Sequence, residues 1–252
     1  MSPAQRHAGE GVAILAALYA LYQEANIVAV GIFNPAMFSV DMLKENGLLG
    51  AEDADLARDQ GSYVLTRQVN TLETEWARLQ VLENQLLIMS KGALSPAVRD
   101  IAVGILSLLS YTNISAVGLN FFGHYKMSSR ADYHRVGDVF APKTIWNDIF
   151  PTENHNTGME TLTVVVQPAR REENAVMGNV KQITLQPSKL IPDGLFLSCN
   201  DHYVVEADDQ TKIGTAERVA RLIETKWEPS WQETNKLFNS LISKALGEES
   251  SC

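Results

Sequence analysis

The sequence predicts an α+β protein in which antiparallel strands are followed by a covering helix, because that order of elements occurs twice. The first occurrence extends to Leu109 and the second to Leu246. Strands followed by a helix on one face form two layers, and the helix buries the apolar side of the sheet. We therefore expect two strand-rich halves, at residues 1–127 and 159–252, with a connecting segment at 128–158 between them.

The composition supports a folded protein of this class and limits the kinds of partner that it can bind. Of the 252 residues, 45% are hydrophobic and 20% are charged, which is ordinary for a soluble globular protein. The 21 basic and 30 acidic residues give a net charge of −9. This charge disfavours nucleic acid as a partner, because such binding depends mainly on phosphate neutralisation. Two cysteines are too few for a disulfide framework, so we expect a reducing cytoplasm.

An apolar run at Val12–Tyr22, VAILAALYALY, predicts an N-terminal helix from about Glu10 to Ala25. The run is shorter than the ~20 residues that a bilayer span needs, so we expect no membrane span. A signal peptide is the alternative, but Glu10 and the lack of a small-residue cleavage site disfavour export. A helix that is apolar on all sides must be covered by its own core or by a partner. The predicted interface residues are Leu15, Leu18, Tyr19 and Tyr22.

The remaining elements of the first half follow from apolar spacing and turn residues. Asn26–Asn34 is rich in β-branched residues and ends before a proline, which predicts the first strand. Arg78–Ser90 has apolar residues two apart, which predicts either a hairpin turning at Glu83–Gln85 or one long bent strand. A Ser-Pro pair then starts a helix that runs to about Leu109. A further strand is predicted at Ile114–Met127.

The second half is predicted to contain three strands and a long helix. The expected elements are strands at Leu162–Gln167, Val180–Gln186 and Leu195–Glu206, and a helix at Thr215–Leu246. The pair Asn200-Asp201 predicts a tight hairpin turn inside the last strand run, since both residue types tolerate positive φ. Cys199 and His202 beside it could be a nucleophile and its base, but nothing in the sequence orients the histidine. Pro229 is expected to break or kink the helix.

The only basic–aromatic cluster lies around the start of the connecting segment. It comprises His124, Tyr125, Lys126, Arg130, Tyr133, His134 and Arg135. Such side chains could hold a phosphate or stack on a base, although Asp132 and Asp138 dilute the positive charge. An interface or a solvated connector is the simpler interpretation. The candidate ligand-binding residues are Tyr125, Arg130, His134 and Arg135.

No motif in the sequence predicts catalysis, since glycine-rich phosphate loops, HExxH and GxSxG are all absent. We therefore expect no catalytic residue and no cofactor. Glu52, Asp53, Asp55 and Asp59 could attract a divalent cation, but the calcium-loop spacing with its central glycine is missing. A solvated acidic surface is the simpler interpretation, so no metal site is predicted.

Three short segments carry a family resemblance. Ile27–Pro35 ends at a proline, Gly118–Phe121 has the sequence Gly-Leu-Asn-Phe, and Phe238–Ile242 lies in the final helix. In this order the segments resemble a loosely defined group of uncharacterised bacterial proteins of similar length. The apolar segment before Asn26 departs from that group's pattern. The resemblance implies the order of elements given above, and it supplies no activity and no site residues.

These features predict a non-enzymatic protein-interaction or assembly subunit of a bacterial complex, which self-associates or binds another protein. The prediction rests on the all-round apolar helix and on the lack of an active-site motif. Two alternatives stay open. One is an enzyme, or a protein that binds a small ligand or phosphate, with its site between the two halves. The other is a nucleic-acid-binding protein that uses residues 124–135.

Overall fold

The computed structural model describes residues 20–59, 63–151, 153–167, 177–205 and 214–247, and within them nine strands form one antiparallel sheet. The strands are β1 (Ala20–Gly31), β2 (Tyr63–Leu65), β3 (Val69–Glu73), β4 (Ala77–Leu82), β5 (Gln85–Ser90), β6 (Ile114–Lys126), β7 (Leu162–Val166), β8 (Met177–Pro187) and β9 (Gly194–Val205). The described α-helices are α1 (Val40–Glu45), α2 (Ala51–Asp59), α3 (Ala97–Leu108), α4 (Arg130–Phe140), α5 (Lys143–Asn147) and α6 (Ala216–Leu246). The order across the sheet is β2-β3-β4-β5-β1-β6-β9-β8-β7.

The fold is α+β, as the sequence predicts, but its strands do not separate into two sheets. β6 lies beside β9 over most of its length, with Phe121 opposite Cys199 and Leu119 opposite Asp201. On its other side β6 pairs with β1, where Leu119 lies opposite Ile27. Because each antiparallel ladder satisfies backbone groups of both strands, these two pairings join all nine strands into one continuous layer.

One face of the sheet, called the covered face below, carries the described helices and the main apolar core. Alternate side chains of β1 and β6 point to this face, so Ile27, Leu119 and Phe121 are almost fully buried. The centroid of the Phe121 ring is 5.1 Å from that of Trp227 and 5.4 Å from that of Trp231. These aromatic contacts hold α6 against the centre of the sheet.

A second apolar cluster lies near the C-terminal end of α6, where α4 joins the covered face. The ring of Phe238 meets the ring of Tyr125 edge to face, with centroids 6.3 Å apart. Val136 of α4 is completely buried and belongs to the same cluster as Leu195 and Ile242. Part of the predicted connecting segment is therefore packed onto the sheet.

The opposite face, called the open face below, has no described helix over it and carries polar and aromatic side chains. A row of amides crosses four neighbouring strands at Asn26, Asn120, Asn200 and Gln182. Asn120 Nδ2 donates a hydrogen bond to Asn26 Oδ1 at 2.6 Å. Beside this row, the ring centroid of His124 is 4.7 Å from that of Phe196. The open face is thus a surface of amides and rings.

The predicted N-terminal helix is wrong for the part that the structure describes. Ala20 to Ala25 belong to β1, because this stretch pairs with β6, where Ala25 lies opposite Phe121. Tyr22 is therefore a strand residue, and it is 50% exposed. The other three predicted interface residues, Leu15, Leu18 and Tyr19, lie outside the described residues. None of the described helices is long and apolar enough to cross a bilayer.

In the second half, the predicted turn and the predicted helix break are also wrong, for a common reason. Asn200 and Asp201 form no turn, since β9 runs unbroken through them with β6 on one side and β8 on the other. Pro229 does not break α6, whose residues on either side of it, Trp227 and Trp231, both contact Phe121. In each case tertiary packing overrides a local preference.

Other predicted elements are confirmed with small shifts of their ends. The Arg78–Ser90 run is a hairpin, in which β4 and β5 pair and Glu83-Asn84 forms the turn. The predicted helix and strand that follow it correspond to α3 and β6. Periodicity predicted these elements because each has one buried face and one more exposed face.

Candidate functional site

The structure separates the four candidate ligand-binding residues. Tyr125 points to the covered face and is 1% exposed, and burial raises the pKa of its hydroxyl to about 12. Arg130, His134 and Arg135 lie on α4 and are exposed. Tyr125 therefore acts as a core residue, while the other three belong to the surface of α4.

The three α4 residues make separate local contacts. Arg130 Nε donates to His134 Nε2 at 3.4 Å, one turn along the same helix. Arg135 Nη1 donates to the backbone oxygen of Leu246 at 3.1 Å, and Gly247 with its φ of 77° follows as the residue that ends α6. Arg135 thus satisfies a carbonyl at the C-terminal end of α6, where a positive charge is favoured.

His134 of the predicted set lines a cavity. A cavity of about 150 Å³ lies between α4, residues 157–159 and the adjoining ends of β8 and β9. A second cavity of about 280 Å³ lies beside it, between α5 and residues 156–158. Lys143, Thr157 and Gly158 line both, so the two cavities form one cleft, which we call the α4–α5 cleft.

The α4–α5 cleft is held in shape by two polar contacts. Lys143 Nζ lies 2.9 Å from Asp138 Oδ1, which joins the first residue of α5 to α4. Thr157 donates its hydroxyl hydrogen to Asn147 Oδ1 at 3.1 Å, which ties the following loop to the end of α5. The cleft walls therefore come from three segments that are linked to one another.

A buried polar cluster that the sequence analysis missed lies under α6. Asp201 is 1% exposed, and its Oδ2 accepts hydrogen bonds from Lys181 Nζ at 3.1 Å and from Tyr203 at 3.0 Å. The Ser230 hydroxyl of α6 donates to the same oxygen, and Glu233 pairs with Lys181 at 2.9 Å. The cluster thus connects β8, β9 and α6 through one carboxylate.

The electrostatics of this cluster favour a structural role. Burial is the main cause that raises the pKa of Tyr203 to about 12, and burial also raises the pKa of the Cys199 thiol. Burial alone would lower the pKa of Lys181, but its contacts with Glu233 and Asp201 outweigh that effect and raise it. Tyr203, Cys199 and Lys181 therefore stay protonated near neutral pH. Neither cavity of the α4–α5 cleft is lined by a residue of this cluster.

A signal for the buried cluster is present in the sequence. Along β9 the residues two apart from Leu195 to Val205 are all buried, and Asp201 falls in that series. An aspartate in phase with a buried series needs hydrogen-bond donors around it. The spacing across Asn200-Asp201, rather than the turn preference of that pair, predicts a buried aspartate with donors around it.

Apolar side chains are exposed at two places near the cleft and the sheet edge. In α5 and the turn after it, Ile145 is 64%, Trp146 50% and Ile149 62% exposed. In β7, the last strand of the sheet order, Val164 is 44% and Val165 53% exposed. Exposed apolar groups of this size mark binding surfaces when they are contiguous.

Within the described residues, no group of three or more His, Cys, Asp and Glu side chains is placed to hold a metal ion. The acidic residues of α2 instead make local contacts. Asp55 pairs with Arg58 at 3.2 Å, and Asp53 Oδ2 accepts from the indole nitrogen of Trp76 at 3.1 Å. No protein-family model matches the chain, and no curated protein matches it.

Proposed function

We propose that this chain is a non-enzymatic assembly subunit that associates with a second copy of itself through the outer edge of β7. The carrying observation is that β7 is an edge strand among the described residues, and that its residues from Thr163 to Val166 are all exposed. An edge strand presents a row of free backbone donors and acceptors, which can pair with another strand. The proposal places the protein in a reducing cytoplasm, where the single described thiol, Cys199, is buried and free.

The sequence of β7 favours strand pairing. Leu162–Val166 reads LTVVV, without a charge, proline or glycine. β-Branched residues fit a pleated surface, whereas natural edge strands that avoid pairing carry lysine or proline, or are very short. The other edge strand, β2, has only three residues. Of the two sheet edges, β7 is therefore the better template for a partner strand.

The charge balance favours a second copy that meets this edge. The chain carries a net charge of −9, so two copies repel each other over most approaches. β7 offers an uncharged strip on which two acidic molecules can meet. In the antiparallel pair that we propose, the two-fold axis lies at Val165, so that Val165 of one copy faces Val165 of the other. Cross-strand pairs of β-branched residues stabilise a sheet.

Analytical ultracentrifugation of the wild-type chain and of Val165→Lys tests the proposal. We expect a dimer for the wild type, and a dissociation constant at least about tenfold higher for the variant, because two lysines would face each other. Val204→Lys is the matched control: Val204 is 44% exposed on the same face of the sheet but lies in the interior strand β9. A monomeric wild type at about 100 μM, a concentration at which specific dimers with micromolar affinity are populated, would contradict the proposal. Equal weakening by both lysines would contradict it too.

A further inference from the structure

We propose that the α4–α5 cleft binds a small zwitterion with an aromatic side chain, of the class of the aromatic α-amino acids. The proposal is independent of the dimer, because it uses α4, α5 and residues 156–159 rather than β7. It starts from the two adjoining cavities, of about 150 and 280 Å³, which meet at Lys143. Concave sites with aromatic walls and a few polar groups are the usual form of small-molecule sites.

The aromatic wall lies in the larger cavity. Trp146 and Phe150 both line it, and they are 50% and 43% exposed. Stacking with a planar apolar group would remove part of this exposed aromatic area from water, which is favourable. The ring of His155 lies 5.8 Å from that of Phe150, between centroids, and packs against this side of the wall.

The charges at the meeting point of the cavities decide the ligand class. Lys143 and Asp138 lie 2.9 Å apart and both line the smaller cavity. A simple anion attracted by Lys143 would meet the Asp138 carboxylate, and a simple cation attracted by Asp138 would meet the Lys143 ammonium. A zwitterion avoids both repulsions, because its carboxylate can pair with Lys143 while its ammonium pairs with Asp138.

The geometry also gives an anchor for the ligand backbone. Lys143 is the first residue of α5 and its side chain is 33% exposed, so its ammonium is partly shielded but can still be reached. Asn156 and Thr157 line the larger cavity and add neutral polar groups. The Thr157 hydroxyl already donates to Asn147, so it is free to act as an acceptor toward a ligand ammonium.

The test uses three probes on the full chain: L-phenylalanine, 3-phenylpropionate and 2-phenylethylamine, measured by tryptophan fluorescence and by calorimetric titration. We expect saturable binding of L-phenylalanine with a dissociation constant between about 10 μM and 1 mM. Each of the two analogues lacks one charge, and its dissociation constant should be at least roughly tenfold higher. In Trp146→Phe the fluorescence change should be lost and L-phenylalanine should bind more weakly, because the indole of the aromatic wall is removed.

Lys143→Met and Asp138→Asn should each weaken L-phenylalanine binding by about tenfold, and Lys226→Met, at an exposed position of α6, is the matched control. Both cleft side chains are at least one-third exposed, so these variants are expected to fold. The proposal is overturned if L-phenylalanine shows no saturable binding at about 10 mM, a concentration above the weakest expected dissociation constant. It is also overturned if 3-phenylpropionate binds as tightly, or if the control weakens binding as much as the cleft variants.

Discussion

The two faces of the sheet are made by the same strands, yet residues next to each other in a strand differ in burial and in contacts. Phe121 is completely buried between two tryptophan rings on the covered face, whereas Phe122 stacks on Phe196 on the open face with a centroid distance of 6.0 Å. Asp201 has three hydrogen-bond donors around one oxygen, whereas Asn200 lies in an amide row. A shift of one residue along a strand therefore moves a side chain from the covered face of the sheet to the open one.

The comparison teaches that the covered face holds a charge by surrounding it with donors: three of them meet Asp201 Oδ2, while the buried Oδ1 has no partner among the described residues. An unpaired charge there would lose its hydration without compensation, and so Lys181, Tyr203 and Ser230 converge on Asp201. On the open face, Phe122 and Asn200 are only partly buried, so less of each side chain is withdrawn from water. Substitutions on the covered face should accordingly cost more stability than matched substitutions on the open face.

The largest expected effect comes from Phe121→Ala. Removing this ring leaves a cavity beside Trp227 and Trp231, and we expect the free energy of unfolding to fall by about 4 kcal/mol. Phe122→Ala, the adjacent open-face residue, should cost only about 1 kcal/mol. Urea unfolding of both variants measures the difference. Equal losses would mean that the open face is as deeply covered as the opposite one.

The second effect comes from Asp201→Ala, which leaves Lys181, Tyr203 and Ser230 without their common acceptor. We expect a loss of about 3 kcal/mol, at the low end for a broken buried pair. The reason for the low value is that Lys181 is 25% exposed and keeps its contact with Glu233. Asn200→Ala is the control and should cost about 1 kcal/mol. A loss for Asp201→Ala no greater than that of the control would show that the cluster does not stabilise the contact between α6 and the sheet.

A smaller effect is expected within the amide row of the open face. Asn120→Ala removes its hydrogen bond to Asn26, and we expect a loss of about 1 kcal/mol. A double-mutant cycle with Asn26→Ala isolates the pair, and its coupling energy in urea unfolding should be about 0.5–1 kcal/mol. A coupling energy of zero would mean that water serves both amides equally well.

The smallest effect is the pH dependence due to His124 on the open face. Its ring nitrogen Nδ1 lies 2.8 Å from the Ser188 hydroxyl, and burial lowers its pKa from 6.5, although the nearby Glu24 acts in the opposite direction. The unfolded chain therefore binds a proton more readily than the folded one, so stability should fall as the pH drops below about 6.5. The loss should level off below the lowered folded pKa.

Urea midpoints at several pH values between 5 and 8 measure this dependence in the wild type and in His124→Gln. The contribution of His124 is the difference between the two curves, which should grow as the pH falls from 7 towards 5. Parallel curves would show that the imidazole has the same pKa in the folded and unfolded chain.

The same comparison explains how much of the fold the sequence could predict. β4, β5 and β6 follow from spacing alone, because each has a buried series and a more exposed series. The helix predicted over Ala20–Ala25 is wrong because a run without polar alternation fits a helix or a strand locally. Its pairing with β6 determines that it is a strand. Which strand lies beside which is information that no local window contains.

The candidate site could be predicted only in part, for related reasons. Tyr125 is in phase with Phe121 along β6, so its burial could be read from the spacing, while its place beside charged residues suggested a surface. Of the four candidate ligand-binding residues, His134 lines a cavity. Lys143, Trp146 and Phe150 were missed because the cleft exists only when α5 and residues 156–159 come together.

The strand order also determines which strands can pair while the chain is still being synthesised. The five strands from β2 to β1 all lie within the first 90 residues, whereas the second neighbour of β1 is β6, which ends at Lys126. A nascent chain can therefore build a partial sheet in which β1 is a temporary outer strand. At typical elongation rates this state lasts roughly 2–7 seconds before β6 is made. The central strand of the finished protein is thus the one most exposed to mispairing with other chains while the polypeptide is still being translated.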